Sequence, residues 1–411
     1  MSAPLSQIEP AGEKPRILFV AEAVTLAHVA RPAVLARALD LGRYEVHFAC
    51  DRRGMDMLTE PSWQRHAIDT IASQVFLDRL AAGAPLYQRD ELVAYIARDR
   101  QLLGQIKPAA VIGDFRLSLA VSAPLEGVPY INLTNAHWSP YAAQKRFPLP
   151  EHALARLLGP GLGQCVFDLA RPVVFASHAR TMNRLRREHG LPLLGGLTDV
   201  YTWGDHVLYA DVPELVATRK PPANHHYIGP VTWSPPNDPP AWWDRVPAQP
   251  PPIYVTLGSS GQVNLLPEIL GSLADYSGQV MAATAGRIEV AQAPANARVA
   301  KYLPGEAAAA RSAVVVCNGG SAPVYQALAQ GTPVIGVASN MDQYLTMGAV
   351  ERAGAGLLIR AGQANGRRVR LAVDRVVEQS SYRQSAGRLA EAIRQYDTGI
   401  IFNRLLASLV A

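Results

Sequence analysis

Cysteine is scarce in this chain: the 411 residues hold three, Cys50, Cys165 and Cys317, far apart and each among apolar neighbours. An odd, scattered set supports neither a disulfide framework nor a zinc site and points to a reducing cytoplasm. Long apolar runs are lacking too. No stretch approaches the ~18 apolar residues of a membrane-spanning helix, and the segment from Met1 to Lys14 carries Pro, Glu and Gln where a secretory signal needs an apolar core. A soluble protein is expected, with peripheral membrane association at most. Nor is charge of one sign concentrated. The 39 Lys and Arg against 34 Asp and Glu leave a net +5 with no block of like charges, which makes duplex nucleic acid a poor partner.

What is present suits a large folded core, since 49% of residues are hydrophobic and 18% charged with both signs mixed. The length suits two domains. Short apolar runs at 16–21 (RILFVA), 44–49 (YEVHFA), 109–113 (AAVIG) and 129–133 (PYINL) alternate with helical patterns, beginning with residues 32–41. The same alternation resumes at 253–257, 280–284, 299–302, 313–317 and 333–337. Strands alternating with helices predict parallel α/β sheets, here two of them. Between the series, residues 233–252 (WSPPNDPPAWWDRVPAQPPP) are too rich in proline for regular structure and read as a stiff linker. The expected division is therefore 1–232, a linker at 233–252, 253–379, and helical periodicity over 380–411 that could attach to either domain.

The segment 314–344 carries the clearest chemistry. An apolar strand ends at Cys317, followed by Asn318, Gly319 and Gly320, and a helix opens at Ser321 with Pro323 in its first turn, where proline is tolerated. Glycines let backbone approach a ligand and free amides at a helix N-terminus bind phosphate, so this is a diphosphate cradle. The strand at 333–337 then delivers Asp342 and Gln343 to a strand end, where open α/β sheets bind ligands; a carboxylate beside an amide can grip several sugar hydroxyls.

Together these elements resemble the signature of family-1, UDP-glycosyltransferase-like glycosyltransferases of the GT-B fold. The resemblance implies two Rossmann-like parallel-sheet domains facing a cleft, with a UDP- or dTDP-linked sugar bound there. It places Asn318, Gly319, Gly320 and Ser321 at the diphosphate, Gln326 at the ribose, and Asp342 with Gln343 at the sugar. The loop after 253–257 supplies Gly258, Ser259 and Ser260 to the diphosphate and sugar, and the backbone at Leu303, in KYLPG, reads the base edge. Asn318 stands where the family usually has His, and Pro323 where it usually has a hydroxyl residue.

Inverting transfer needs a base to take the acceptor proton, and a histidine oriented by a carboxylate suits that task. His28, in LAHVARP after the first strand, resembles the family's Gly-His-x-x-Pro loop, with Ala27 for Gly and one residue more before Pro32. Asp114, after the run at 109–113, is its expected partner, and Asp114→Asn is expected to slow turnover with little change in fold. Residues 136–150, Tyr87 and the stretch 157–175 are aromatic and apolar, suiting a lipophilic hydroxylated acceptor. No metal is expected, because no Asp-x-Asp-like pair stands beside the cradle. Two other readings share the architecture: a nucleotide-sugar 2-epimerase, and a catalytically silent sugar-nucleotide-binding activator. The Asn-Met-Asp-Gln element argues against the first, and the presence of both His28 and Asp114 against the second.

Overall fold

The computed structural model describes residues 13–410 except Met57, His152, Pro236, Asn237, Ser259 and Ser260. Among the described residues thirteen strands form two sheets. The first contains β1 (Arg16–Ala21), β2 (Glu45–Cys50), β3 (Gln64–Ala67), β4 (Ala110–Asp114), β5 (Tyr130–Thr134), β6 (His206–Tyr209) and β7 (His225–Tyr227). The second contains β8 (Ile253–Thr256), β9 (Val280–Ala283), β10 (Ala297–Ala300), β11 (Val314–Cys317), β12 (Val334–Ala338) and β13 (Gly356–Arg360). Their orders are β3-β2-β1-β4-β5-β6-β7 and β10-β9-β8-β11-β12-β13, with every ladder parallel. These are doubly wound, Rossmann-like sheets. Central strands such as β4 and β5 are buried at every position, as expected when helices cover both faces.

In each sheet the winding reverses between two neighbouring strands, β1 and β4 in the first and β8 and β11 in the second. The crevice opened by such a reversal is where α/β sheets bind ligands. Ala21 pairs with Asp114 at one reversal and Thr256 with Cys317 at the other, so the segments leading to His28 and to Asn318 both leave from these positions.

Among the described residues of the proline-rich stretch the regular structure is a 3-10 turn at Trp243–Arg245, and it is held firmly. Arg311 lies over the Trp243 ring at 4.8 Å and donates to the carbonyls of Trp243 and Val246 at 3.0 and 2.7 Å. One apolar cluster runs through the interface between the domains, joining Tyr209, Val212 and Leu215 to Val324, Tyr325 and Met347.

The C-terminal segment attaches to both domains. Helix Ser380–Ile393 buries Ala386, Leu389 and Ile393 in that shared cluster. Helix Thr398–Leu409 crosses back to the first sheet, with Phe402 fully buried 6.2 Å from the Phe19 ring and Asn403 donating to the Ala38 carbonyl at 2.6 Å.

Candidate functional site

His28 lies inside a helix, not in the loop expected from sequence: helix Leu26–Arg37 starts six residues before Pro32 and places His28 in its first turn. The imidazole Nδ1 is 2.7 Å from Asp114 Oδ1. A carboxylate there fixes the proton on Nδ1 and leaves the Nε2 lone pair to act as a base. Phe115 has φ of +58°, a left-handed conformation that bulky side chains rarely adopt. Its ring stacks on the imidazole at 4.9 Å, with 17° between the planes.

Asp114 is fully buried and serves a second partner that sequence reading missed. Arg31 donates from Nε to Oδ2 at 2.8 Å and from Nη2 to Oδ1 at 2.7 Å. Burial by itself would raise the Asp114 pKa, yet the charges of Arg31 and His28 hold it below the usual carboxylate range. Arg31 was legible only as one residue between His28 and Pro32; nothing local marked it as a counter-ion.

From Arg31 a hydrogen-bond chain crosses to the other domain. Its Nη1 donates to Asn135 Oδ1 at 2.7 Å, and Asn135 Nδ2 donates to Asp211 Oδ2 and to Ser321 Oγ, each at 3.2 Å. Asp211, after β6, also accepts from the Ala136 amide at 2.6 Å and from the Tyr325 hydroxyl at 2.8 Å. The base candidate and the cradle are thus ends of one buried polar chain.

At the cradle, Gly319 adopts φ of +75°, and a Cβ there would sit 2.6 Å from Met347 Cγ, so only glycine fits. The amides of Gly319 and Gly320 turn inward, to Cys317 Sγ and Asn318 Oδ1. Among the described residues this leaves the Ser321 and Ala322 amides, at the start of helix Ser321–Ala329, without protein acceptors; Pro323 has none to offer. Gly258, at φ of +61°, faces the Asn318 amide, while Ser259 and Ser260 lie outside the described residues. Leu303 has a buried side chain. Gln326, expected at the ribose, makes two hydrogen bonds within the protein. Its Nε2 donates to the Trp233 carbonyl at 2.8 Å and to Ser234 Oγ at 3.0 Å, so both amide hydrogens fasten the linker.

Asp342 and Gln343 sit in the first turn of helix Met341–Arg352. Asp342 Oδ1 accepts from His137 Nε2 at 2.8 Å and from Trp138 Nε1 at 2.9 Å, again across the domain boundary. The Asp342 side chain stays 42% exposed, and its second oxygen accepts no hydrogen bond among the described residues. Burial would raise its pKa, but the hydrogen bond and charge of His137, with Trp138 and Arg31, lower it to about 2. Gln343 Oε1 accepts from the Ser339 amide at 2.8 Å and, in a capping box, from the Asn340 amide at 3.4 Å, while its Nε2 is buried without a partner among the described residues. An orphaned buried donor beside an open carboxylate is an arrangement that a hydroxyl-bearing ligand completes.

The acceptor-side residues separate. Tyr87 is buried in a cluster with Phe76, Tyr95 and Tyr201. Tyr201 meets Phe115 edge-on at 5.3 Å and Trp138 at 5.1 Å, giving an aromatic wall from His28 to Asp342. Residues 157–175 fall in helix Ala153–Glu188, broken at Gly159. Its inner face carries Phe167 and Phe175, packed on Phe147 and Leu149. Among the described residues no cluster of three or more metal-ligating side chains occurs, and no helix is long and apolar enough to cross a membrane.

Comparison with known proteins agrees with this geometry. Residues 267–397 match the family described as "Erythromycin biosynthesis protein CIII-like, C-terminal domain". The chain is 54% identical to the "PGL/p-HBAD biosynthesis rhamnosyltransferase" of Mycobacterium bovis (strain BCG / Pasteur 1173P2), over 93% of this chain and 85% of that protein. It is 54% identical to a "PGL/p-HBAD biosynthesis glycosyltransferase" of Mycobacterium tuberculosis (strain ATCC 25177 / H37Ra), over 95% of this chain and 91% of the relative. The fold is similar to that of "Spinosyn Forosaminyltransferase SpnP", with a TM-score of 0.70 and 17% identity over 97% of this chain and all of the other. These relatives are transferases, which favours neither the epimerase nor the silent activator. Such enzymes take a nucleotide-sugar donor and a hydroxylated acceptor. The chain belongs to the family-1-like glycosyltransferases of the GT-B fold.

Proposed function

We propose that this glycosyltransferase moves a sugar, with inversion, from a UDP- or dTDP-linked donor to a hydroxyl of a lipophilic acceptor, with His28 as base. The supporting observation is the polar chain His28–Asp114–Arg31–Asn135–Ser321, which fixes the base relative to the phosphate cradle. The acceptor O–H proton passes to His28 Nε2 as the oxygen attacks the anomeric carbon. The bond from that carbon to the diphosphate oxygen breaks, and the diphosphate leaves with the electron pair. Asp114 stabilises the imidazolium as it forms. The Ser321 and Ala322 amides, at a positive helix end, take up the leaving-group charge without a metal. Asp342 and Gln343 Nε2 hold sugar hydroxyls. The 54% identical relative's name makes a rhamnosyl group the first donor sugar to try, with an acceptor from PGL/p-HBAD biosynthesis. The aromatic wall of Phe115, Tyr201 and Trp138 suits such an acceptor if it is apolar, and a cytoplasmic setting suits the thiol content.

The test is turnover across a panel of UDP- and dTDP-sugars, with and without hydroxylated acceptors and with chelator present. Acceptor-dependent release of nucleotide, with a product of inverted anomeric configuration, is expected. Donor epimerisation without acceptor, retention of configuration, or an absolute need for added divalent metal would each overturn part of the reading.

A further inference from the structure

Helix Ala153–Glu188 carries a face that no described residue covers. Beyond the break at Gly159, Leu162, Val166, Leu169 and Val173 recur at intervals of four, three and four residues, one side of an α-helix. All four are exposed, Leu169 to 84% and Val173 to 66%. Leu157, 82% exposed, extends the apolar surface past the break. Isolated exposed leucines are ordinary, but a continuous stripe of them marks an interaction surface.

The same face changes character further along. Arg180, Arg184 and Arg187 continue the spacing at seven, four and three residues, and all three are exposed. At about 1.5 Å per residue the face from Leu162 to Arg187 is about 38 Å long, apolar in one half and cationic in the other. Of the acidic residues of this stretch, Asp168 lies off the face and accepts from Gln164, and Glu188, one turn past Arg184, is paired with Arg89. Arg186 points inward, to the carbonyl of Pro192.

We infer that this face docks on an anionic lipid bilayer, with Leu162, Leu169 and Val173 entering the interface and Arg180, Arg184 and Arg187 meeting the headgroups. Charge complementarity selects that occupant. A second copy of the chain is a poorer one, since parallel pairing would set arginine against arginine and antiparallel pairing would press arginine onto leucine and valine. The helix's inner face packs on Phe147, which contacts Trp138 at 6.1 Å, and Trp138 donates to Asp342. Docking would therefore set the bilayer directly behind the acceptor-side wall.

The test is flotation of the full chain with vesicles of phosphatidylcholine alone or with one-third phosphatidylglycerol. Binding to the anionic vesicles only, weakening with salt, is expected. Each cation near an anionic surface is worth about fivefold in partitioning, so R180E/R184E/R187E should bind at least about a hundredfold more weakly. L162S/L169S/V173S should lose about tenfold or more. Both triple variants change exposed side chains and should melt like the parent; should either not, a polarity-sensitive fluorophore on Cys165, exposed at the edge of the stripe, reads docking in the unaltered chain by its blue shift. No binding to anionic vesicles at low salt, parental binding by either folded variant, an unshifted Cys165 probe, or a lipid-free dimer dissolved by L162S/L169S/V173S would overturn the inference.

Discussion

Asp114→Asn separates the roles of the buried carboxylate most sharply. From sequence this change is expected to spare the fold, but the Arg31 pair reverses that expectation. Asp114 is fully buried and accepts three hydrogen bonds, at 2.7, 2.8 and 2.7 Å, from His28 and twice from Arg31. An asparagine keeps one acceptor oxygen, turns an NH2 toward donors, and takes from the Arg31 guanidinium, 9% exposed, the carboxylate it is hydrogen-bonded to. Breaking a buried ion pair from one side costs about 3–5 kcal/mol. For a domain of this size each kcal/mol lowers Tm by about 2–4 °C, so the variant should melt roughly 6–20 °C lower in calorimetry. Turnover should fall as well, since the imidazolium loses its partner. Arg31→Met added to Asp114→Asn removes the stranded cation and should recover part of the Tm while turnover stays low. If Asp114→Asn melted with the parent, or the double variant regained turnover, the pairing of one carboxylate to both base and structure would be wrong.

His28→Ala should melt near the parent but lose about 10²–10⁴-fold in turnover with donor binding intact, checked by single-turnover kinetics and calorimetric titration; near-normal turnover would discard His28 as base. Asp342→Ala with Gln343→Ala should weaken binding of the nucleotide sugar far more than that of the bare nucleotide, each lost charge-assisted contact counting about 1.5–3 kcal/mol; equal losses would make the pair structural. Cys50 and Cys317 are buried and their thiols are pushed up to about 12 by that burial, whereas Cys165 is exposed, so a thiol reagent at neutral pH should titrate one group natively and three after denaturation. Burial lowers the pKa of His225 to about 4, with His226 adding to it, and lowers His47, His66, His178 and His226 from the ordinary 6.5. Between pH 6.5 and about 4 the unfolded chain then binds more protons than the folded one, so stability is full above that window and falls as pH drops through it; a Tm flat from pH 7 to 4 would contradict this.

The two sheets were legible because buried parallel strands are apolar on both faces. The runs at 16–21, 313–317 and 333–337 lie within a residue of β1, β11 and β12. The edge strands β3 (QRHA) and β7 (HHY) were missed because an edge needs no apolar run. The helix of His28 was set too late because Pro32 looks like a first-turn proline, yet it falls in the helix interior. The candidate site residues named from sequence are those whose chemistry is written in short motifs, such as the Gly-Gly-Ser segment and the Asp-Gln pair. What sequence could not yield is the set of partners. Arg31 in the helix after β1, Asn135 and His137 after β5, and Asp211 after β6 meet Asp114, Ser321, Asp342 and Tyr325 at sequence separations of 83 to 205. Periodicity and turn chemistry act over a few neighbours and so are written locally. Pairing of buried charges depends on which strand ends the winding of two sheets brings face to face, and only the tertiary structure decides that.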